Sequence, residues 1–124
     1  MNALFIEAEA DTTPAVSLDG AKGAFEISGW SHPEDAIGFY APVFAWLAEY
    51  GKAPNAQTEF HFKLQYYNTA SAKQIFRLFS SLEEVAKKSK VTVFWHHDEE
   101  DLDMLSSGER FSKMSTLPFK FVQN

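Results

Sequence analysis

Hydrophobic positions along the chain fall into short alternating runs and longer runs at helical spacing, and the two kinds take turns from one end to the other. Val16 and Leu18, then Phe25 and Ile27, alternate with polar residues on either side of Asp19-Gly20-Ala21-Lys22-Gly23. The glycines suit a tight connection, so a β-hairpin is predicted over about Ala15–Ser28. Leu4 and Ile6 add a short edge strand before it. Ser31-His32-Pro33-Glu34-Asp35 reads as a helix start, with a capping hydroxyl or imidazole, a proline in the first turn and two acids at the positive end of the dipole. Ala36, Phe39, Tyr40, Val43, Phe44, Leu47 and Tyr50 then recur on one helical face up to Gly51, with a kink expected at Pro42.

From Glu59 to Tyr67 the alternation returns, with Phe60, Phe62, Leu64 and Tyr66 on one face and His61, Lys63 and Gln65 on the other. Ala72, Ile75, Phe76, Phe79, Leu82 and Ala86 predict a second helix over about Ser71–Lys88. Val91 to Trp95 is apolar on both faces, as expected of a central strand covered on both sides. Asp98–Ser107 is predicted as a short acidic helix stopped by Gly108, and Leu117–Val122 as a last strand that Pro118 places at an edge. The resulting class is α/β, a single mixed sheet with helices packed on it, in one domain over residues 1–124.

Composition narrows the function. Twelve Phe and three Trp supply a real core. The net charge of −6, with the basic residues scattered, removes the electrostatic footprint of nucleic acid or of an anionic membrane. Without cysteine there is no disulfide, thiolate nucleophile or sulfur-based zinc site. Met1–Ala10 reads as neither a signal peptide nor an anchor, and a soluble, cytoplasmic protein is expected.

Chemistry concentrates in two places. His96-His97-Asp98-Glu99-Glu100-Asp101-Leu102-Asp103 crowds imidazoles and carboxylates together. Adjacent strand residues point to opposite faces, however, so His96 and His97 do not both reach one metal, and an acidic helix start is the simpler reading. His32 and His61 have no ligand motif around them. Phosphate-loop, dinucleotide and nucleophile-elbow patterns are missing, so no cofactor or metal is expected. The second place is Tyr66-Tyr67-Asn68-Thr69-Ala70-Ser71-Ala72-Lys73, which joins a strand directly to a helix start. There the local pattern favours Asn68, Thr69 or Ser71 simply capping the helix; the alternative is a phosphate on Thr69, which would meet free N–H groups and the dipole's positive end, with Lys73 assisting. Ser71 lies near the same helix end as an alternative acceptor.

Three blocks in order resemble one family. They are Gly29-Trp30-Ser31-His32-Pro33-Glu34-Asp35 with Tyr40-Ala41-Pro42 and Trp46-Leu47; Phe62 to Lys73; and Trp95 to Met104 with Gly108-Glu109-Arg110-Phe111 and Pro118-Phe119-Lys120-Phe121. Over roughly residues 14–122 the chain is similar to the SiaC-like regulatory phosphoproteins of bacteria. The resemblance implies a fold similar to anti-sigma-factor antagonists and a role in a partner-switching circuit. It implies a threonine, matching Thr69, that a dedicated kinase phosphorylates and a PP2C-type phosphatase restores. It further implies that the unphosphorylated form binds and activates a diguanylate cyclase, raising cyclic di-GMP and controlling biofilm formation. Two departures stand out: Ala70 where the family usually has serine, and His96-His97 in place of an aromatic pair. On this reading Asp98, Glu99, Glu100, Asp101 and Asp103 form a partner surface that selects by charge. The contrasting readings are a constitutive adaptor and a small metal-dependent hydrolase using His61, His97 and carboxylates from Asp98 to Asp103.

Overall fold

Three successive strand–helix–strand units set the architecture in this computed structural model, which describes residues 1–124. The elements are β1 (Leu4–Ile6), β2 (Ala15–Asp19), β3 (Ala24–Ser31), α1 (Ala36–Tyr50), β4 (Gln57–Tyr67), α2 (Thr69–Val85), β5 (Lys90–His97), α3 (Leu102–Lys113) and β6 (Phe119–Gln123). They build one mixed six-stranded sheet in which the strands lie in sequence order, β1 to β6. The β1–β2 and β2–β3 pairs are antiparallel and the rest parallel. Both predicted edges are present, β1 at one side and β6, entered through Pro118, at the other.

Parallel neighbours need crossovers, and crossovers of one hand that step in one direction place their helices on one face. The packing follows that rule. Trp46 and Tyr50 of α1 pack on Phe25, Phe79 of α2 on Phe62, and Phe111 of α3 on Trp95. In register, Phe25 lies opposite Phe60, and Phe62 opposite Trp95, so all three contacts fall on the same side of the sheet. The apolar core therefore lies between helices and sheet, and no helix covers the other face. This corrects the expectation that β5 is covered on both sides: Val91, Val93 and Trp95 are buried, while Thr92 and Phe94 are only half-buried. The uncovered face carries Glu26 and Lys63, paired at 2.9 Å, and Phe94 with Lys120 above its ring.

Four boundaries differ from the sequence reading, each for a local reason. β3 continues past Ser28 to Ser31, and the cap of α1 is Asp35, whose carboxylate accepts from Gly38 N at 3.1 Å; neither Ser31 nor His32 caps it. Pro42 lies inside α1, as the sequence reading places it, on the exposed side of the helix. The second helix begins at Thr69 and ends at Val85, earlier at both ends than predicted. The third helix starts only at Leu102 and runs through Gly108 to Lys113. Gly108 does not stop it because its role is close packing: a Cβ there would lie 2.5 Å from Trp95 Nε1.

A fifth difference changes which side chains meet solvent. Gly29 pairs with Leu64 but Trp30 pairs with Tyr66, so Gln65 is an extra residue on β4. Gly29 accommodates the irregularity at φ +100°. Beyond the bulge the alternation inverts. Tyr67 turns toward the core, edge-on to Phe111, and Tyr66, predicted beside Leu64, stands on the open face against Trp30.

No helix of the chain is long and apolar enough to cross a membrane.

Candidate functional site

Parallel strands that feed helices on one face bring every strand-to-helix connection to the same rim of the sheet. The N-cap residues Asp35, Asn68 and Asp101 all belong to this rim, where three helix dipoles present their positive ends. Asn68 settles the capping question left open by the sequence, since its Oδ1 accepts from Ser71 N at 2.9 Å. The neighbouring hydroxyls have different fates. Thr69, the first residue of α2, is exposed and its hydroxyl makes no hydrogen bond within the chain. Ser71 is fully buried, accepts from Ser31 Oγ at 2.8 Å and donates to the Ser31 carbonyl at 3.1 Å. Ala70 and Lys73 are exposed, and Lys73, one turn after Thr69, has no acidic partner within ion-pair distance.

Beneath Thr69 lies a polar cluster that the sequence did not reveal. Tyr40 OH lies 2.6 Å from Ser31 Oγ, and because Ser31 spends its single proton on Ser71, Tyr40 is the donor. Burial pushes the Tyr40 phenol up to about 12, against the lowering effect of its hydrogen bond with Ser31. The Ser31 carbonyl also accepts from Asn68 N at 3.0 Å. Strand β3, helix α1 and the start of α2 are thus joined through one buried cluster directly under the exposed threonine.

The acidic block divides in a similar way. Asp98, Glu99, Glu100 and Asp103 are exposed, whereas Asp101 is half-buried and caps α3 by accepting from Met104 N at 3.0 Å. Asp98 accepts from the Asn124 side chain at 3.0 Å. His96 and His97 face opposite ways. His96 meets His61 on the open face, Nε2 to Nδ1 at 2.8 Å, while His97 Nδ1 lies 3.2 Å from the Asp98 carbonyl. Burial, then the neighbouring Lys63, depresses the basicity of His61; burial, then His61 itself, depresses that of His96. The ligand set of the hydrolase reading is therefore dispersed: His61 bonds to His96 rather than His97, and three His, Asp or Glu side chains converge nowhere in the chain.

At the same rim, Trp30 and Tyr66 stand side by side with ring centroids 5.0 Å apart, and His32 meets Tyr66 edge-on at 5.9 Å. Both partners of the pair are exposed, Trp30 by 36% and Tyr66 by 40%, whereas Trp46 and Trp95 are buried. The sequence signal that could have located them is Gly29, a glycine inside a strand pattern, which marks a bulge.

The family model described as "SiaC family regulatory phosphoprotein" matches residues 6–124. An uncharacterised protein of Pseudomonas aeruginosa strain UCBPP-PA14 is 27% identical over 109 residues, which is 87% of this chain and 86% of that protein. The crystal structure of apo-SiaC from Pseudomonas aeruginosa is 26% identical, with a TM-score of 0.88 over 98% of this chain and 99% of that one. SiaC in its crystal structure with the diguanylate cyclase SiaD, which it activates, is 25% identical, with a TM-score of 0.88 over the same shares of the two chains.

Proposed function

The chain belongs to the SiaC family of regulatory phosphoproteins, and from that premise we propose that it is a non-enzymatic cytoplasmic switch, phosphorylated on Thr69, whose unphosphorylated form binds and activates a diguanylate cyclase. One observation carries the choice of residue. Thr69 offers an exposed, unbonded hydroxyl at the start of α2, while Asn68 does the capping and Ser71 is buried in hydrogen bonds. A phosphate there adds about −1.5 to −2 charges and three strong acceptors beside the free N–H groups of α2 and within one turn of Lys73. It has favourable surroundings in the modified chain and still changes the charge and shape of the rim. A dedicated kinase and a PP2C-type phosphatase complete the cycle, and the exposed carboxylates Asp98, Glu99, Glu100 and Asp103 help to choose among partners.

Peptide mass spectrometry on the protein from its native cells tests the residue. A single phosphate on Thr69 is expected. The purified diguanylate cyclase of the same organism tests the output: cyclic di-GMP synthesis should rise with the wild-type chain and with Thr69→Ala, and not with the fully phosphorylated chain. Absence of phosphate on Thr69 in cells that express the kinase would leave a constitutive adaptor. A cyclase indifferent to the unmodified chain would remove the output.

A further inference from the structure

We infer that the Trp30–Tyr66 pair and the carboxylates of Asp98, Asp101 and Asp103 together seat a protein segment that presents a large apolar side chain next to lysine or arginine. The inference rests on the proposed cyclase-binding role and adds to it the place and chemistry of the contact.

The apolar half of the seat is a product of the bulge. Without Gln65 as an extra residue, Tyr66 would continue the inward alternation of Phe60, Phe62 and Leu64. With it, two large aromatic rings lie exposed against each other at the rim, although the chain buries its other two tryptophans. Exposed apolar area is unfavourable in water, and a partner that covers it recovers that free energy. Paired aromatic anchors are also the side chains in which binding energy most often concentrates.

The polar half fixes the sign of the partner. One cleft runs from Trp30 past Lys63 and Gln65 to Asp98 and Asp101, and a second runs from Tyr66 and Tyr67 to Asp101 and Asp103. Asp101 lies between the two clefts, so the aromatic pair has carboxylates along its flank. The only cation lining either cleft, Lys63, is already paired with Glu26 at 2.9 Å. A segment laid on the rings therefore meets net negative charge, on a chain that already carries −6. Lysine or arginine beside the apolar anchor gains there, and aspartate or glutamate is rejected.

The seat also adjoins the switch. Tyr66 precedes Thr69 by three residues, at most about 11 Å of chain. An occupant of the rings lies within reach of the threonine, so that its phosphorylation and the occupant's binding compete for one rim.

Titration calorimetry of the unphosphorylated chain against the purified cyclase of its own organism tests this, with Thr69→Ala as the reference. Trp30→Ala and Tyr66→Ala should each weaken binding at least 30-fold. Asp98→Lys with Asp103→Lys should weaken it about tenfold and flatten its dependence on salt. Far-UV circular dichroism and the urea midpoint identify any variant that fails to fold, and the charge variant, confined to exposed residues, remains informative in that case. Because Trp30 is the exposed tryptophan, acrylamide quenching of the wild-type fluorescence should fall on binding. Wild-type affinity in both aromatic variants, or in the charge variant, would overturn the seat and leave the cyclase role standing. No binding by the wild type would overturn both. A dimer of this chain that Trp30→Ala dissolves would assign the seat to a second copy and overturn the inference as stated.

Discussion

Ser31 and Ser71, forty positions apart in sequence, are bonded to each other twice, hydroxyl to hydroxyl at 2.8 Å and hydroxyl to carbonyl at 3.1 Å. The pair holds the start of α2 against the end of β3, and with Tyr40 it forms a buried polar cluster in which no side-chain atom lacks a partner.

Tyr40→Phe removes the donor to Ser31 and leaves a buried acceptor unsatisfied. A loss of about 1–3 kcal/mol in urea unfolding is expected. The pH dependence has a definite sign. The folded phenol titrates at about 12 against a reference of 10.0, so the folded chain holds a proton that the unfolded chain releases. This contribution is intact below pH 10 and disappears as pH rises toward 12, and Tyr40→Phe should make the alkaline limb of the stability curve shallower.

At the start of α2, stability and modification should separate cleanly. Asn68→Ala loses the cap to Ser71 N and should cost about 1 kcal/mol. Thr69→Ala removes an exposed, unbonded hydroxyl and should stay within about 0.5 kcal/mol of wild type in the same denaturant series. A large cost for Thr69→Ala would show that its hydroxyl supports the fold after all.

Gly108→Ala separates two explanations of that glycine. If helix propensity decided, alanine would gain up to about 1 kcal/mol. The Trp95 indole, fully buried and donating to the Met104 carbonyl at 2.9 Å, occupies the space instead. We expect a net loss of about 1–3 kcal/mol, with a shift in tryptophan emission.

The His61–His96 contact predicts an acid response. Both imidazoles are depressed below the ordinary 6.5, so the unfolded chain takes up protons first as pH falls. Their contribution to stability is present above pH 6.5 and is lost as pH drops from there through the folded values. Lys63 and Glu26 face the pair and should be kept intact in the test. The double variant His61→Gln/His96→Gln should show a flatter unfolding temperature between pH 7 and pH 5 than wild type.

Where one face of an element is buried, its periodicity could be read directly: the hairpin, the order of elements, both edge strands and the strand-to-helix junction at Thr69 all follow from it. What stayed hidden depends on a single residue or on distant neighbours. The bulge at Gln65 leaves no trace in a two-residue period, because Tyr66 is as apolar as the pattern requires. Gly108 reads as a terminator because no local signal announces the Trp95 ring pressed against it. Ser31 looked like a cap because hydroxyls near a helix start usually are, yet Asp35 is four residues closer to the helix and takes that place. The apolar run at β5 suggested burial on both faces, but Phe94 is stacked on His61 at 4.5 Å on a side that no helix covers. For the candidate site, the placing of Thr69 at a strand-to-helix junction and the exposure of Asp98, Glu99, Glu100 and Asp103 could be read from the sequence; the aromatic pair was marked only by Gly29, and the Ser31–Tyr40–Ser71 cluster needed contacts across elements.

Because each strand pairs only with its neighbours in the chain, none has to be inserted between two that are already joined. A polypeptide leaving the ribosome can extend this sheet by accretion, one strand and one helix at a time, with short loop closures and little entropy lost at each step. The bonds that set Thr69 in place require nothing beyond Ser71 and are available once α2 has docked on α1 and β3. Thr69 can therefore reach its final setting while the last third of the protein is still being made, and the acidic rim and the outermost strand are added to a helix start that already has its final shape.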